Sequence, residues 1–305
     1  MIRPVPNGVY PTMITPYTDN NEIDYNAVLQ ILQWYTEKGV TAVFAICQSS
    51  EIFFLSFEER LELLRFIMRN KPAGMTVVAS GNTSADPDTI LREAEAFIET
   101  GINGYVFIAN RFAAEDEPDE VLAQRMLDMA ERLPQIPLGV YECPYPYKRV
   151  LTPDVLRLLS SNEKFCFLKD TCCDIGMIEK KLEAAKNGNL KIFNANSATL
   201  LPSLKLGCAG FSGVMANFHP ELYVKLCSCF AGEPEKARRI QDLIGTLSMA
   251  ECQCYPVNAK YYLSLEGLTI NTFSRSRSGA DFGPSRKAEI EEMRAVTKLF
   301  EETLL

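Results

Sequence analysis

Histidine is almost missing from this chain: His219 stands alone among 305 residues. That excludes most Ser-His and Cys-His hydrolase schemes unless His219 is itself the base. It precedes Pro220 at the expected start of a helix, which favours a structural role. No C-x-x-C pair occurs. The ten cysteines include the neighbours Cys172-Cys173, the C-x-C pairs Cys227/Cys229 and Cys252/Cys254, and single residues in apolar runs such as Cys47, Cys166 and Cys208. With one histidine these spacings do not make a zinc site, and no metal is expected. Free cysteine in an apolar run acts as a small hydrophobe, so a reduced, cytoplasmic chain is expected. The sequence has neither an N-terminal apolar h-region nor an apolar run of about 18 residues, so neither export nor a membrane span is expected. It also lacks a long block of like charge, and its net charge is -8. Nucleic-acid binders show a basic patch or stripe, so that class of partner is excluded. An anionic substrate would have to be held by a local positive site rather than by the overall field.

What is present is an ordinary globular composition, 47% hydrophobic and 23% charged, in short β-type runs that alternate with amphipathic helical stretches. The runs are 8–14, 42–47, 75–80, 104–109, 136–142, 165–170, 190–195 and 210–215. Several are apolar on both parities, as in Val77-Val78-Ala79 and Val106-Phe107-Ile108, which marks parallel strands buried on both faces. Helices are expected at 24–38, 56–69, 86–100, 119–133, 153–159, 175–186 and 198–206. The second of these opens on a capping box formed by Ser56 and Glu59. Eight βα units predict an α/β fold, a (β/α)8 TIM barrel. Beyond about residue 218 the pattern is helical only, at 221–230, 234–251, 257–266 and 284–303. Residues 1–218 should therefore carry the barrel strands and most barrel helices, and 219–305 the last barrel helix and a C-terminal helical extension, as one compact unit.

Barrel sites form at the C-terminal ends of the strands, so the residues there carry the chemistry. Lys169 ends the apolar run Phe165-Cys166-Phe167-Leu168. An ammonium at that place is either desolvated toward its neutral form or reaches from the core into a cleft; the plain alternative is a lysine that snorkels into solvent. A neutral lysine amine forms imines with carbonyl compounds. Tyr141 ends the preceding strand, near the same end, and a phenol there can shuttle protons during carbinolamine formation and loss. After the second strand, Gln48-Ser49-Ser50-Glu51 offers hydroxyl and backbone N–H groups suited to a carboxylate, with Glu51 as a structural carboxylate or an acid. Asn110 to Phe112, Asn196, Ser212 and Gly213 complete the strand-end set.

Five motifs in order make the chain recognisable: Gly8-Val9-Tyr10-Pro11-Thr12 through Thr15-Pro16-Tyr17; Glu51 through Leu55-Ser56 to Glu59-Arg60; Tyr141-Glu142-Cys143-Pro144; Leu168-Lys169-Asp170-Thr171; and Gly207 through Gly210-Phe211-Ser212-Gly213 to Asn217. Together they resemble the dihydrodipicolinate synthase / N-acetylneuraminate lyase family of class I (Schiff-base) aldolases over nearly the whole length. The resemblance implies an aldolase or lyase that forms an imine between Lys169 and pyruvate or a related 2-oxo acid, with Tyr141 as acid/base and Gln48 and Ser49 holding the carboxylate. It implies no cofactor, because the lysine is the electron sink, and a homotetramer, a dimer of dimers.

The departures from the family pattern are as informative. Gln48 stands where the family has the first relay hydroxyl, and an amide cannot relay a proton. Phe112 stands where many synthases have a tyrosine lent to the neighbouring subunit, and Pro146 where the synthase arginine falls. Dihydrodipicolinate synthesis proper is therefore the alternative reading, as is a barrel that binds a 2-oxo acid with weakened catalysis. Arg111, Lys148 and Arg149 are candidate contacts for a different anionic second substrate, and Ser212 is a further substrate-binding candidate.

Overall fold

Strands that lie between helices and a barrel interior have no solvent face, and the eight short strands of this chain are mostly apolar for that reason, with polar residues confined to their ends. The structure, a computed structural model, describes residues 2, 4–251 and 253–304. The strands are β1 (Gly8–Val9), β2 (Ala42–Phe44), β3 (Thr76–Ala79), β4 (Gly104–Ile108), β5 (Leu138–Tyr141), β6 (Phe165–Asp170), β7 (Lys191–Asn194) and β8 (Gly210–Phe211). All their pairings are parallel, in the order β1-β8-β7-β6-β5-β4-β3-β2. The ring closes just past β1, where Thr12 bridges Phe44 in parallel sense. At the β1–β8 seam only glycine fits: a Cβ on Gly210 would stand 1.8 Å from the Gly8 carbonyl oxygen.

The helices between strands are α1 (Tyr25–Glu37), α2 (Phe57–Asn70), α3 (Pro87–Ile98), α4 (Asp119–Arg132), α5 (Pro153–Ser160), α6 (Ile175–Ala185) and α7 (Leu200–Leu206), followed by α8 (Pro220–Cys229), α9 (Pro234–Leu247), α10 (Val257–Leu265) and α11 (Pro284–Leu304). Their starts are written locally. Asp24, Ser56, Asp86, Thr152 and Asp174 each accept a hydrogen bond from a backbone N–H of the first turn, and the Ser56/Glu59 capping box is formed. The chain is thus the expected TIM barrel with C-terminal helices. Among the described residues no helix is long and apolar enough to cross a membrane.

Two differences from the sequence reading matter for the site. Apart from β6, which spans its whole run, the strands are shorter than the apolar runs; the run at 42–47, for example, is regular strand only through Phe44, although Ala45 and Ile46 still bond the backbone of the next run at Val78 and Ser80. The helix expected over 234–251 ends at Leu247, and a single 3-10 turn at Ser248–Ala250 follows. In a barrel the helix after β8 runs back down, so the next one climbs. The chain after α9 therefore emerges at the C-terminal end of the strands.

Candidate active site

On β5 and β6, alternation of side chains decides what faces what. Tyr141 and Lys169 are register partners and both point inward. Their successors Glu142 and Asp170 point outward, where Lys181 of α6 reaches both carboxylates in a fully buried triad. Glu142 also accepts from the backbone N–H groups of Leu151 and Thr171, each at 2.8 Å. The triad fixes the ends of both strands, and with them the residues one step back.

Lys169 is 3% exposed. Its Nζ stands 4.2 Å from the centroid of the Tyr141 ring and 5.7 Å from that of Phe44, and it has no ion-pair partner within salt-bridge distance among the described residues. Burial pushes its ammonium below the ordinary lysine range, opposed by Cys47, Cys143 and Glu251 nearby. An aromatic face is a poor replacement for water around an ammonium, so the environment favours the free amine. The Tyr141 phenol is held well above its usual range, chiefly by burial. It donates to Gln48 Oε1 at 3.4 Å, and the Cys143 thiol donates to the same oxygen at 3.3 Å.

These groups open onto a cavity of about 600 Å³ at the C-terminal end of the strands. Gln48, Ser49, Tyr141, Lys148 and Lys169 all line it. The Ser49 hydroxyl donates to Thr12 Oγ1 at 3.0 Å. Three other expected residues lie elsewhere. Ser212 is fully buried and donates to the Tyr10 carbonyl at 3.1 Å, leaving Gly213 and Val214 at the cavity wall. Arg111 packs over the Phe53 ring at 5.1 Å and lines a separate cavity of about 680 Å³ together with Phe112, Arg125 and Tyr147. Arg149 is held by Asp119 at 2.9 Å and by the Glu117 carbonyl. Glu51 takes the structural option: its left-handed backbone (φ 62°) sends the carboxylate to Lys260 Nζ at 3.1 Å, Ser274 Oγ at 2.9 Å and Ser276 N at 2.7 Å. That clamp draws the 274–277 segment over the barrel mouth.

The C-terminal extension supplies wall residues that were not anticipated from the sequence, among them Glu251, Tyr255 and Arg277. Tyr255 accepts from Asn217 Nδ2 at 3.1 Å and neighbours Ser49 and Thr12. Glu251 is half-buried, and its carboxyl is raised to about 7 by desolvation, with Lys169 pulling the other way. Helical periodicity hid Glu251 at the end of a surface helix. The signal that could have found it is topological, since a second helix after β8 must climb back to the mouth.

A model of the dihydrodipicolinate synthetase family matches residues 5–293. The chain belongs to that family. Among its relatives it is 24% identical over 270 residues to a 4-hydroxy-tetrahydrodipicolinate synthase of Pseudoalteromonas atlantica, covering 88% of this chain and 90% of the relative. It is 26% identical over 235 residues to an N-acetylneuraminate lyase of Rhizobium meliloti, covering 77% and 76%. Among solved structures, YagE, a prophage protein of the dihydrodipicolinic acid synthase family from E. coli K12 crystallised in complex with pyruvate, superposes with a TM-score of 0.86 at 19% identity, over 96% of this chain and 99% of that one. That likeness concerns the family fold.

Proposed function

We propose that this chain is a class I, lysine-imine carbon–carbon lyase or aldolase that joins or releases pyruvate, or a close 2-oxo acid, and an aldehyde or sugar-acid partner. One observation carries it: the Lys169 amine is buried without an ion-pair partner among the described residues, packed on a phenol, and open to a cavity large enough for both reactants. Family membership supports the same chemistry. In this reading Lys169 attacks the ketone carbon, and water leaves the carbinolamine to give the imine. Tyr141 handles the protons at the departing and aldol oxygens. Gln48 and Ser49 hold the carboxylate with donors that need not titrate.

The partner we propose bears an anionic group at its far end. Lys148 and Arg277 line the mouth and form no ion pair among the described residues, whereas Arg149 and Arg275 beside them are committed to Asp119 and Glu59. We assign the protein to the cytoplasm as a homotetramer. Free thiols at all nine described cysteines support a reducing compartment, and exposed Val296 and Leu299 on α11 support association. Sedimentation at micromolar concentration tests the assembly, and a monomer there would remove it.

The experiment for the imine is borohydride reduction in the presence of pyruvate followed by peptide mass analysis. The expected result is a reduced pyruvyl adduct on Lys169 that the Lys169→Ala variant lacks. An unmodified Lys169, or an adduct confined to other lysines, overturns the reading.

A further inference from the structure

Imine chemistry at Lys169 needs two proton transfers that Tyr141 alone serves poorly. One is at the oxygen that leaves or forms at C2 and the aldol carbon. The other is at C3, the methyl carbon of pyruvate, which must lose a proton before a C–C bond can form there. Gln48, the nearest polar partner of Tyr141, is an amide and neither gives nor accepts a proton at neutral pH. The cavity therefore needs a base on another wall.

Glu251 occupies such a wall. It lies on the turn after α9, and the side chains around it come from the β7–β8 side of the barrel: its charge is felt by Tyr223 of α8, which shares a hydrogen bond of 2.7 Å with Ser197 after β7, and by Tyr255. Tyr141 is on β5, and Lys169 on β6 stands between the two. The side chain is half-buried and lines the same cavity. It accepts no side-chain hydrogen bond and makes no ion pair among the described residues. Every other carboxylate at the cavity is occupied; Glu51 is locked onto Lys260, Ser274 and Ser276. Its oxygens open to the cavity and no described side chain holds them, and an unheld carboxylate on the wall across from an imine-forming amine has a use as a base.

We infer that Glu251 is a catalytic base that removes the C3 proton from the imine formed at Lys169. The step balances without a further reactant. The C3–H bond breaks, its proton passes to a Glu251 carboxylate oxygen, and its electron pair becomes the C2=C3 bond. The imine is the protonated, iminium form, so its C=N pair returns to the Lys169 nitrogen, which keeps its proton, giving the neutral enamine. The reverse step returns the proton to C3 when the 2-oxo acid leaves. The assignment rests on the imine reading above, and it divides the protons by wall: oxygen protons to Tyr141, carbon protons to Glu251. The groups that share the cavity wall with Glu251 are Lys169 and Tyr255, with Tyr141, Arg277 and Lys148 further along its lining, and Tyr223 is packed behind the wall. Its raised ionisation, near 7, is suited to a base that must be regenerated in each cycle.

The test needs no knowledge of the partner. Pyruvate and enzyme in D2O exchange the methyl protons for deuterium through the imine and enamine, and proton NMR reads the rate. Glu251→Gln is expected to slow this exchange by about 100-fold or more. It is also expected to abolish the limb of the wild-type pH profile that rises through about 7. Borohydride still captures the imine on Lys169 in this variant, because capture takes no proton from C3. Glu251→Asp restores part of the exchange, and thermal melts show that both variants fold. A wild type that captures pyruvate, with a Glu251→Gln variant that exchanges at the wild-type rate or keeps the limb, overturns the assignment alone. A wild type that captures no pyruvate overturns the imine reading and this assignment with it.

Discussion

At the scale of the residue, the chemistry turns on what each neighbour of Lys169 can and cannot do. The ring of Tyr141 and its hydroxyl have separate tasks. The ring lies against the ammonium at 4.2 Å and helps exclude water, while the hydroxyl is the only part able to move a proton. Tyr141→Phe separates them, since it keeps the packing that disfavours the charged amine and removes the acid. Turnover should fall by about 100- to 1,000-fold, while borohydride capture of pyruvate on Lys169 persists at a reduced rate. Loss of capture in this variant would mean that the phenol is needed to build the amine's environment. Lys169 and Tyr141 were legible in the sequence because a charge at the end of an apolar strand is conspicuous, and because strand order puts the two side by side. Arg111 and Ser212 were not placed correctly at the cavity. Both are polar residues near strand ends, and sequence position there does not say which way a side chain turns; one bends outward over Phe53 and the other inward to the Tyr10 carbonyl.

At the scale of the element, the eight strands and the helices between them were readable from the alternation of apolar runs with capped amphipathic stretches. Their boundaries were less so. An apolar run continues past the regular strand toward the loop that lines the site, as at Ala45-Ile46-Cys47, where all three residues are buried although the strand ends at Phe44. What holds β5 and β6 in register at their site ends is the Glu142–Lys181–Asp170 triad, three ionisable side chains sealed from water. A buried triad is not in itself a large source of stability, but breaking it leaves two carboxylates without their cation. Lys181→Met fills similar volume and removes that cation. It should lower stability by about 3–5 kcal/mol in urea unfolding, and it should slow imine capture through displacement of the residues one step back along each strand. A variant as stable as the parent would show that the carboxylates are protonated or hydrated once the lysine is gone, and that the triad does not set the register.

At the scale of the whole molecule, the C-terminal helices are part of the site as well as part of the fold. They bring Glu251, Tyr255 and Arg277 to the mouth, and they close around His219, the one histidine. Its ring is fully buried, stacked 5.8 Å from Tyr223 of α8 with Tyr262 of α10 at its edge, and its Nδ1 meets Thr297 Oγ1 of α11 at 3.5 Å. Nε2 has no partner among the described residues. The structural role expected from the sequence fits this packing, and it carries a consequence for acid stability. Burial, with Lys38 as a lesser cause, pushes the imidazole down to about 3, against about 6.5 in an unfolded chain. Between those values the unfolded state binds the proton and the folded state does not, so stability rises with pH through that window and is lost as pH falls. The full difference amounts to about 5 kcal/mol. His219→Phe keeps the stacking and cannot be protonated. Urea midpoints measured from pH 7 down to pH 4 should therefore fall less steeply in the variant than in the parent, so that the difference between them shifts in the variant's favour as pH drops. Parallel curves would mean that the folded protein accommodates the imidazolium, and that acid acts on the carboxylates alone.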